Sequence, residues 1–287
     1  MANMIRSISI ILLLFAVVFP EVNAYDLVVD QNQQGDFTSI SAALHAAPIR
    51  SDTPFTIYIK NGFYQEKLVI PAEKTNIVLV SESRDQVILS YDDHSGKGDI
   101  NTFTSYTVKV AGNGFQAHDL TIQNTAGFTA GQAVALHLES DLVVISNCRI
   151  LGHQDTLFAD GTSSRQYFTN CNIEGTTDFI FGSSTACFEN CHIHSKKDSH
   201  VTAASTSENQ EFGYVFYQCR LTAEPGLENV SLGRPWRLFA AVAYLECEIG
   251  SHIKAEGWHN WSKPEREATV RYLDYGTMDL ELTVQGR

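Results

Sequence analysis

The chain has 287 residues, 44% of them apolar, which is enough for one large domain with a substantial core and too many for a disordered chain. Its formal net charge of -13 gives it no general attraction to nucleic acids or anionic membrane surfaces. Any anionic polymer it handles must be held by local cations.

Residues 1–24 read as a signal peptide: Arg6, a 12-residue apolar run from Ile8 to Phe19 that is too short to span a bilayer, and the ending Val22-Asn23-Ala24. Export permits disulfides among the six cysteines without requiring them. After a short strand over Asp26–Val29, Ile40, Ala43, Leu44 and Ala47 recur at helical spacing and Pro48 supplies a stop. Short β-branched runs follow, at Phe55–Ile59, Asn76–Val80, Tyr106–Val110 and Leu142–Ile145, separated by Gly, Asn and Asp. No linker or charge run divides residues 25–287, so one domain is expected.

A repeat runs through the middle of the chain. Gln132, Asp155 and Asp178 are 23 residues apart, and Cys148 and Cys171 keep the same step inside the phrase Asn-Cys-x-Ile. Cys191, Cys219 and Cys247 extend the series at steps of 20, 28 and 28 residues. Strands repeating at this interval without intervening helices favour a parallel β-helix, an all-β solenoid, with the early amphipathic helix as its N-terminal cap. Stacked turns lie roughly 4.8 Å apart, so an amide and two carboxyls at equivalent positions would nearly touch. Neighbouring carboxyls resist ionising together, which gives them different protonation states. Leu232-Gly233-Arg234-Pro235-Trp236 adds a guanidinium that would keep one of them charged, and an indole suited to a sugar face.

These residues carry a resemblance. Gln132-Ala133-Val134-Ala135-Leu136, Gly152-His153-Gln154-Asp155-Thr156-Leu157, Asp178-Phe179-Ile180-Phe181-Gly182, Leu232 to Trp236 and the early Gly62-Phe63-Tyr64-Gln65-Glu66 resemble, in order and spacing, the motifs of the pectin methylesterases over residues 27–276. The resemblance implies a right-handed parallel β-helix that hydrolyses the methyl esters of galacturonate in pectin, with no cofactor or metal. It implies that Asp178 is the nucleophile and Asp155 the general acid and base, that Gln132 and Gln154 hold the oxyanion, and that Arg234 orients Asp178. It suggests Phe158, Phe181, Trp236 and Trp258 as substrate contacts, a Cys171–Cys191 disulfide, and a secreted monomer acting in the periplasm, medium or cell wall. His153 stands where many members carry tyrosine, and Ala204 where glutamine is common.

Strict alternation along a strand would put Phe181 opposite Asp178 and Gln154 opposite Asp155, so both assignments need a local bend. Cys187, Cys191, His192 and His194 have metal-ligand chemistry, but Cys191 and His192 point to opposite faces of a strand. The competing functions are a polygalacturonase using paired acids, a pectate lyase using a calcium cluster, and a non-catalytic pectin-binding solenoid. The glutamines beside the acids favour an acyl oxyanion over the first two, and the acids with Arg234 are superfluous in a pure binder.

Overall fold

The computed structural model describes residues 25–279; the expected signal peptide lies outside them. Their strands form three parallel sheets of ten, nine and seven strands. One turn of the coil runs from Val143–Ser146 in the ten-stranded sheet, through Arg149–Leu151 in the nine-stranded sheet, to Leu157–Ala159 in the seven-stranded sheet. Arg165–Thr169 then returns to lie beside Val143–Ser146. The chain is a parallel β-helix, and the ladder is continuous from Leu27 to Asp279.

Five successive corners between the ten- and nine-stranded sheets are made the same way. Asn147, Asn170, Asn190, Gln218 and Glu246 all have φ between 51° and 54°, and each precedes a ladder cysteine. Asparagine tolerates this left-handed backbone better than most residues, which accounts for the repeated Asn-Cys phrase. The cysteine then turns inward and stacks on its neighbours. Phe168, Phe188, Phe216 and Tyr244 form a second interior stack, with ring centroids 4.6, 4.5 and 4.4 Å apart and planes within 11°. Offset parallel rings follow from rung spacing close to the thickness of a packed aromatic.

The expected Cys171–Cys191 disulfide is not formed; all six cysteines are free thiols. The Cys171 Sγ donates to the carbonyls of Ile145 and Thr169, and the Cys191 Sγ to those of Phe168 and Glu189. Each thiol thus bonds its own corner and the turn before. Cys191 is buried in the coil while His192 is exposed outside it, so the metal-like quartet is split between two faces. Among the described residues no cluster of His, Cys, Asp or Glu could hold a metal ion.

The N-terminal helix, α1 (Ile40–Ala46), is capped by the Ser39 hydroxyl, which accepts the Ala42 N–H at 3.2 Å. The Glu66 carboxylate accepts the N–H groups of Ile40 and Ser41 at 3.0 and 2.8 Å, and this anion suits a helix N-terminus. Glu66 closes the Gly-x-Tyr-x-Glu phrase, so that motif docks α1 onto the coil. The helix buries Ile40, Ala43 and Leu44 over the first turns.

Phe188 has no exposed surface and rings stacked on both sides. Phe188→Ala is expected to cost about 3–5 kcal/mol of folding stability, because the neighbouring rungs cannot collapse into the gap. Urea unfolding of the two proteins checks this.

Candidate active site

The outer face of the seven-stranded sheet carries the functional residues. In register along it stand Lys109, His137, Phe158, Phe181 and Ala203. Val134, Phe158, Phe181 and Ala203 form an apolar cluster separate from the coil interior, with Tyr106, Trp236 and Trp261 packed against it. Phe158 and Phe181 stack at 4.4 Å, and Trp236 tilts over Phe181 at 5.9 Å. Three of the four expected aromatic contacts therefore lie together.

Trp258 does not join them. It stacks on Tyr272 at 4.2 Å, faces Tyr244 and packs against the main core. It lines a separate pocket of about 390 Å³ with Pro235, Lys254, His259 and Tyr272. Its place in the cluster is taken by Trp261, three residues on, whose ring lies 3.7 Å from the Arg234 guanidinium carbon. Two indoles in Trp258-His259-Asn260-Trp261 gave no signal as to which faced the cleft.

Asp155 and Asp178 sit two residues before the strands Leu157–Ala159 and Ile180–Gly182. Both have left-handed backbone, with φ of 63° and 50°. This is the bend that strict alternation lacked: it breaks the inward-outward count and brings each acid to the same side as the phenylalanines. Leu157 pairs with Ile180, so the two acids lie on adjacent rungs in equivalent positions. Such strain in two non-glycine residues costs on the order of 1 kcal/mol each and clusters at functional sites.

The 23-residue step misleads for Gln132. It pairs with Gln154 and not with Asp155. Ala135 and Leu136 both donate to the Thr156 carbonyl, at 2.8 and 3.2 Å, so an extra residue is bulged out just after Gln132. The consequence is that Gln132 and Gln154 are neighbours beside the acids.

Arg234 grips Asp178 with two bonds, Nε to Oδ1 at 2.9 Å and Nη2 to Oδ2 at 2.7 Å. Its backbone N–H donates to the Thr202 carbonyl at 2.9 Å. The preceding Gly233 permits this approach, since a Cβ there would lie 2.0 Å from the Thr202 hydroxyl. Arg266, which no motif indicated, donates to the carbonyls of Pro235 and Trp236 and holds the loop from outside.

The acids differ in environment. Asp155 is 8% exposed, and burial followed by the charge of Asp178 pushes its carboxyl well above the ordinary range. Burial also raises Asp178, while the Arg234 bonds and, more weakly, His259 pull it back. The proton of the pair therefore rests on Asp155 and the charge on Asp178. Burial and neighbouring cations draw His200 down to about 3 and also lower His259, whose ring lies 4.9 Å away. Both imidazoles are neutral at neutral pH.

A protein with a buried carboxylate locked to arginine, a protonated carboxyl on the next rung and an aromatic floor has the layout of an acid-based hydrolase built on a parallel β-helix. The Pectinesterase family profile matches residues 26–287. Probable pectinesterase 56 of Arabidopsis thaliana is 41% identical over 245 residues, covering 81% of this chain and 84% of its own. Pectinesterase 2 of the same plant is 37% identical over 87% of this chain, which spans only 44% of that longer relative. The chain likewise spans 50% of the pectinesterase/pectinesterase inhibitor PPE8B of Prunus persica, at 38% identity over 87% of this chain. The carrot pectin methylesterase structure is similar with a TM-score of 0.86 and 34% identity, covering 94% of this chain and 87% of that one. The Aspergillus niger pectin methylesterase, deglycosylated, gives 0.80 and 28%, over 88% and 85%. The chain belongs to the pectinesterase family.

Because the folded state holds a proton on Asp155 that the unfolded chain releases, Asp155 makes folding less favourable as pH rises above about 4, the ordinary carboxyl pKa. Below that pH both states are protonated and nothing is lost. Asp155→Asn is expected to be more stable than the native chain at pH 8 and to lose that advantage toward pH 4; denaturant titrations across the range test the sign.

Proposed function

We propose that this chain hydrolyses methyl esters of galacturonate residues in pectin, giving methanol and a free carboxylate, with Asp178 as nucleophile. The observation that carries the reading is the unlike surroundings of two stacked buried carboxyls: Asp178 is gripped by both arms of Arg234, while burial and the charge of Asp178 favour the protonated form of Asp155. An ester hydrolysed through an acyl-enzyme needs a charged and a protonated carboxyl at once.

In the first half-reaction an Asp178 carboxylate oxygen attacks the ester carbonyl carbon. The negative charge moves to the carbonyl oxygen, where the side-chain amides of Gln132 and Gln154 are the donors. Collapse of this intermediate breaks the bond to the methoxy group, which leaves as methanol with the Asp155 proton, and the substrate remains as an anhydride on Asp178. Asp155, now ionised, takes a proton from water as that water attacks the same carbonyl carbon. The anhydride bond to Asp178 breaks, and both starting carboxyl states return.

Arg234 contributes orientation more than affinity. Its planar fork fixes both Asp178 oxygens and limits their rotation, and the Trp261 ring on its other face keeps the fork in plane. Phe158, Phe181 and Trp236 offer apolar surface to the sugar rings. Among the described residues no helix is long and apolar enough to cross a membrane. The enzyme acts outside the cell, where pectin is found, without nucleic acid or membrane as partner.

The test is methanol release from highly methylated pectin in excess chelator, with polymer length followed in parallel. Methanol at unchanged length is expected; shortening without methanol would move the chain to the glycosidase or lyase reading. Asp178→Ala is expected to lose ~10⁴-fold or more in kcat with the coil intact, and near-native turnover would remove Asp178 as nucleophile. Arg234→Lys should lose about 10–100-fold, the worth of one charge-assisted bond and its geometry; full activity in a steady-state assay would show the fork to be dispensable.

A further inference from the structure

The backbone that carries Gln132 is held by a buried side chain outside every motif. Asn124 ends the strand Thr121–Asn124 in the nine-stranded sheet and is 4% exposed. Its Nδ2 donates to three carbonyls, of Asp93 at 2.8 Å, Ser105 at 3.1 Å and Val134 at 3.1 Å, and its Oδ1 accepts the Ala126 N–H at 3.0 Å. Two hydrogens serve three acceptors, so at least one is shared. The three carbonyls belong to three stretches that Asn124 ties together: the loop after Tyr91, the turn closing the 3₁₀ helix Thr102–Thr104, and the segment two residues past Gln132.

Ser105, with no exposed surface, completes the junction. Its hydroxyl accepts the Val134 N–H at 3.1 Å and donates to the Thr102 carbonyl at 2.8 Å. From the same loop, the Ser95 N–H donates to the Gln132 carbonyl at 2.8 Å. The ladder holds this stretch through the Ala133 N–H to the Gln154 carbonyl at 3.1 Å and the Thr107 N–H to the Val134 carbonyl at 3.0 Å, but the bulge at Ala135 and Leu136 interrupts its register between the Gln132–Gln154 bridge and the Leu136–Leu157 pair. The Asn124 and Ser105 bonds brace the segment where that register changes. Phe103, two residues before Ser105, places its ring 5.4 Å from that of Phe158.

We propose that Asn124 is a positioning residue for ester hydrolysis, holding the Gln132 side-chain amide at the oxyanion through Val134 and the Ser105 hydroxyl. The inference rests on the reading of Gln132 as an oxyanion donor. A displacement near 1 Å at such a donor is enough to weaken transition-state stabilisation while leaving ground-state binding in place.

The test is a double-mutant cycle on methanol release from methylated pectin, using Asn124→Ala, Gln132→Ala and the pair. If Asn124 acts through Gln132, Asn124→Ala lowers kcat ~10–100-fold with KM changed less than ~3-fold, and the double variant is no more than ~3-fold slower than Gln132→Ala alone. Losses that multiply in the double variant overturn the proposal, as does an unchanged kcat with only a lower melting temperature. Should Asn124→Ala not fold, Ser105→Ala enters the same cycle with the same two outcomes. If Gln132→Ala is itself fully active while Asn124→Ala is slow, both the coupling and the oxyanion role of Gln132 fall, and the Asp155 and Asp178 assignments stand apart from that result.

Discussion

Each turn of this coil satisfies its strand N–H and C=O groups on the turns above and below, roughly 4.8 Å away, and nearly everything else follows from that pairing. Because pairing is parallel and in register, a residue type repeated at the turn length becomes a column. Inside the coil the columns are thiols and aromatic rings, which stack at this spacing without voids. Outside, on the seven-stranded sheet, the same rule places Phe158 on Phe181 and Asp155 next to Asp178.

Stacking two acids at rung spacing in a buried site is costly if both ionise, and this cost sets up the chemistry. The coil cannot relax it by moving one acid away, since both lie on backbone fixed by neighbouring rungs. The charge is placed instead by Arg234, which reaches Asp178 from two rungs further along, past Gly233. Asp155 has no such partner and stays protonated. An ester-cleaving pair thus arises from two identical side chains distinguished by one guanidinium.

The site also depends on departures from regularity. The positive φ angles at Asp155 and Asp178 turn the acids outward, and the bulge after Gln132 sets two glutamines side by side. Regular strands would have buried or dispersed these groups. Hydrogen bonds from outside the ladder, by Arg266 to the Arg234 loop and by Asn124 to the Gln132 segment, stabilise the irregular pieces.

The sequence by itself determined the solenoid, the capping helix, the cysteine column and the equivalence of Asp155 and Asp178. Those features depend on local spacing, and a one-dimensional repeat converts spacing directly into neighbours. Spacing failed where the register slips: Gln132 stands one residue off the column its 23-residue step implies, because this pair of turns matches at 21 residues at Leu136 and Leu157 and at 22 on the other side of the bulge, and neither the shorter turn nor the bulge leaves a mark in composition. It failed also for side-chain direction. Cys171 and Cys191 occupy adjacent rungs as expected, yet their thiols turn to carbonyls, and of two indoles three residues apart Trp258 went to the core and Trp261 to Arg234. Only the tertiary structure decided these points, since each depends on which face of a corner meets which neighbouring turn, and that is set by contacts between residues as far apart in sequence as Asp178 and Arg234.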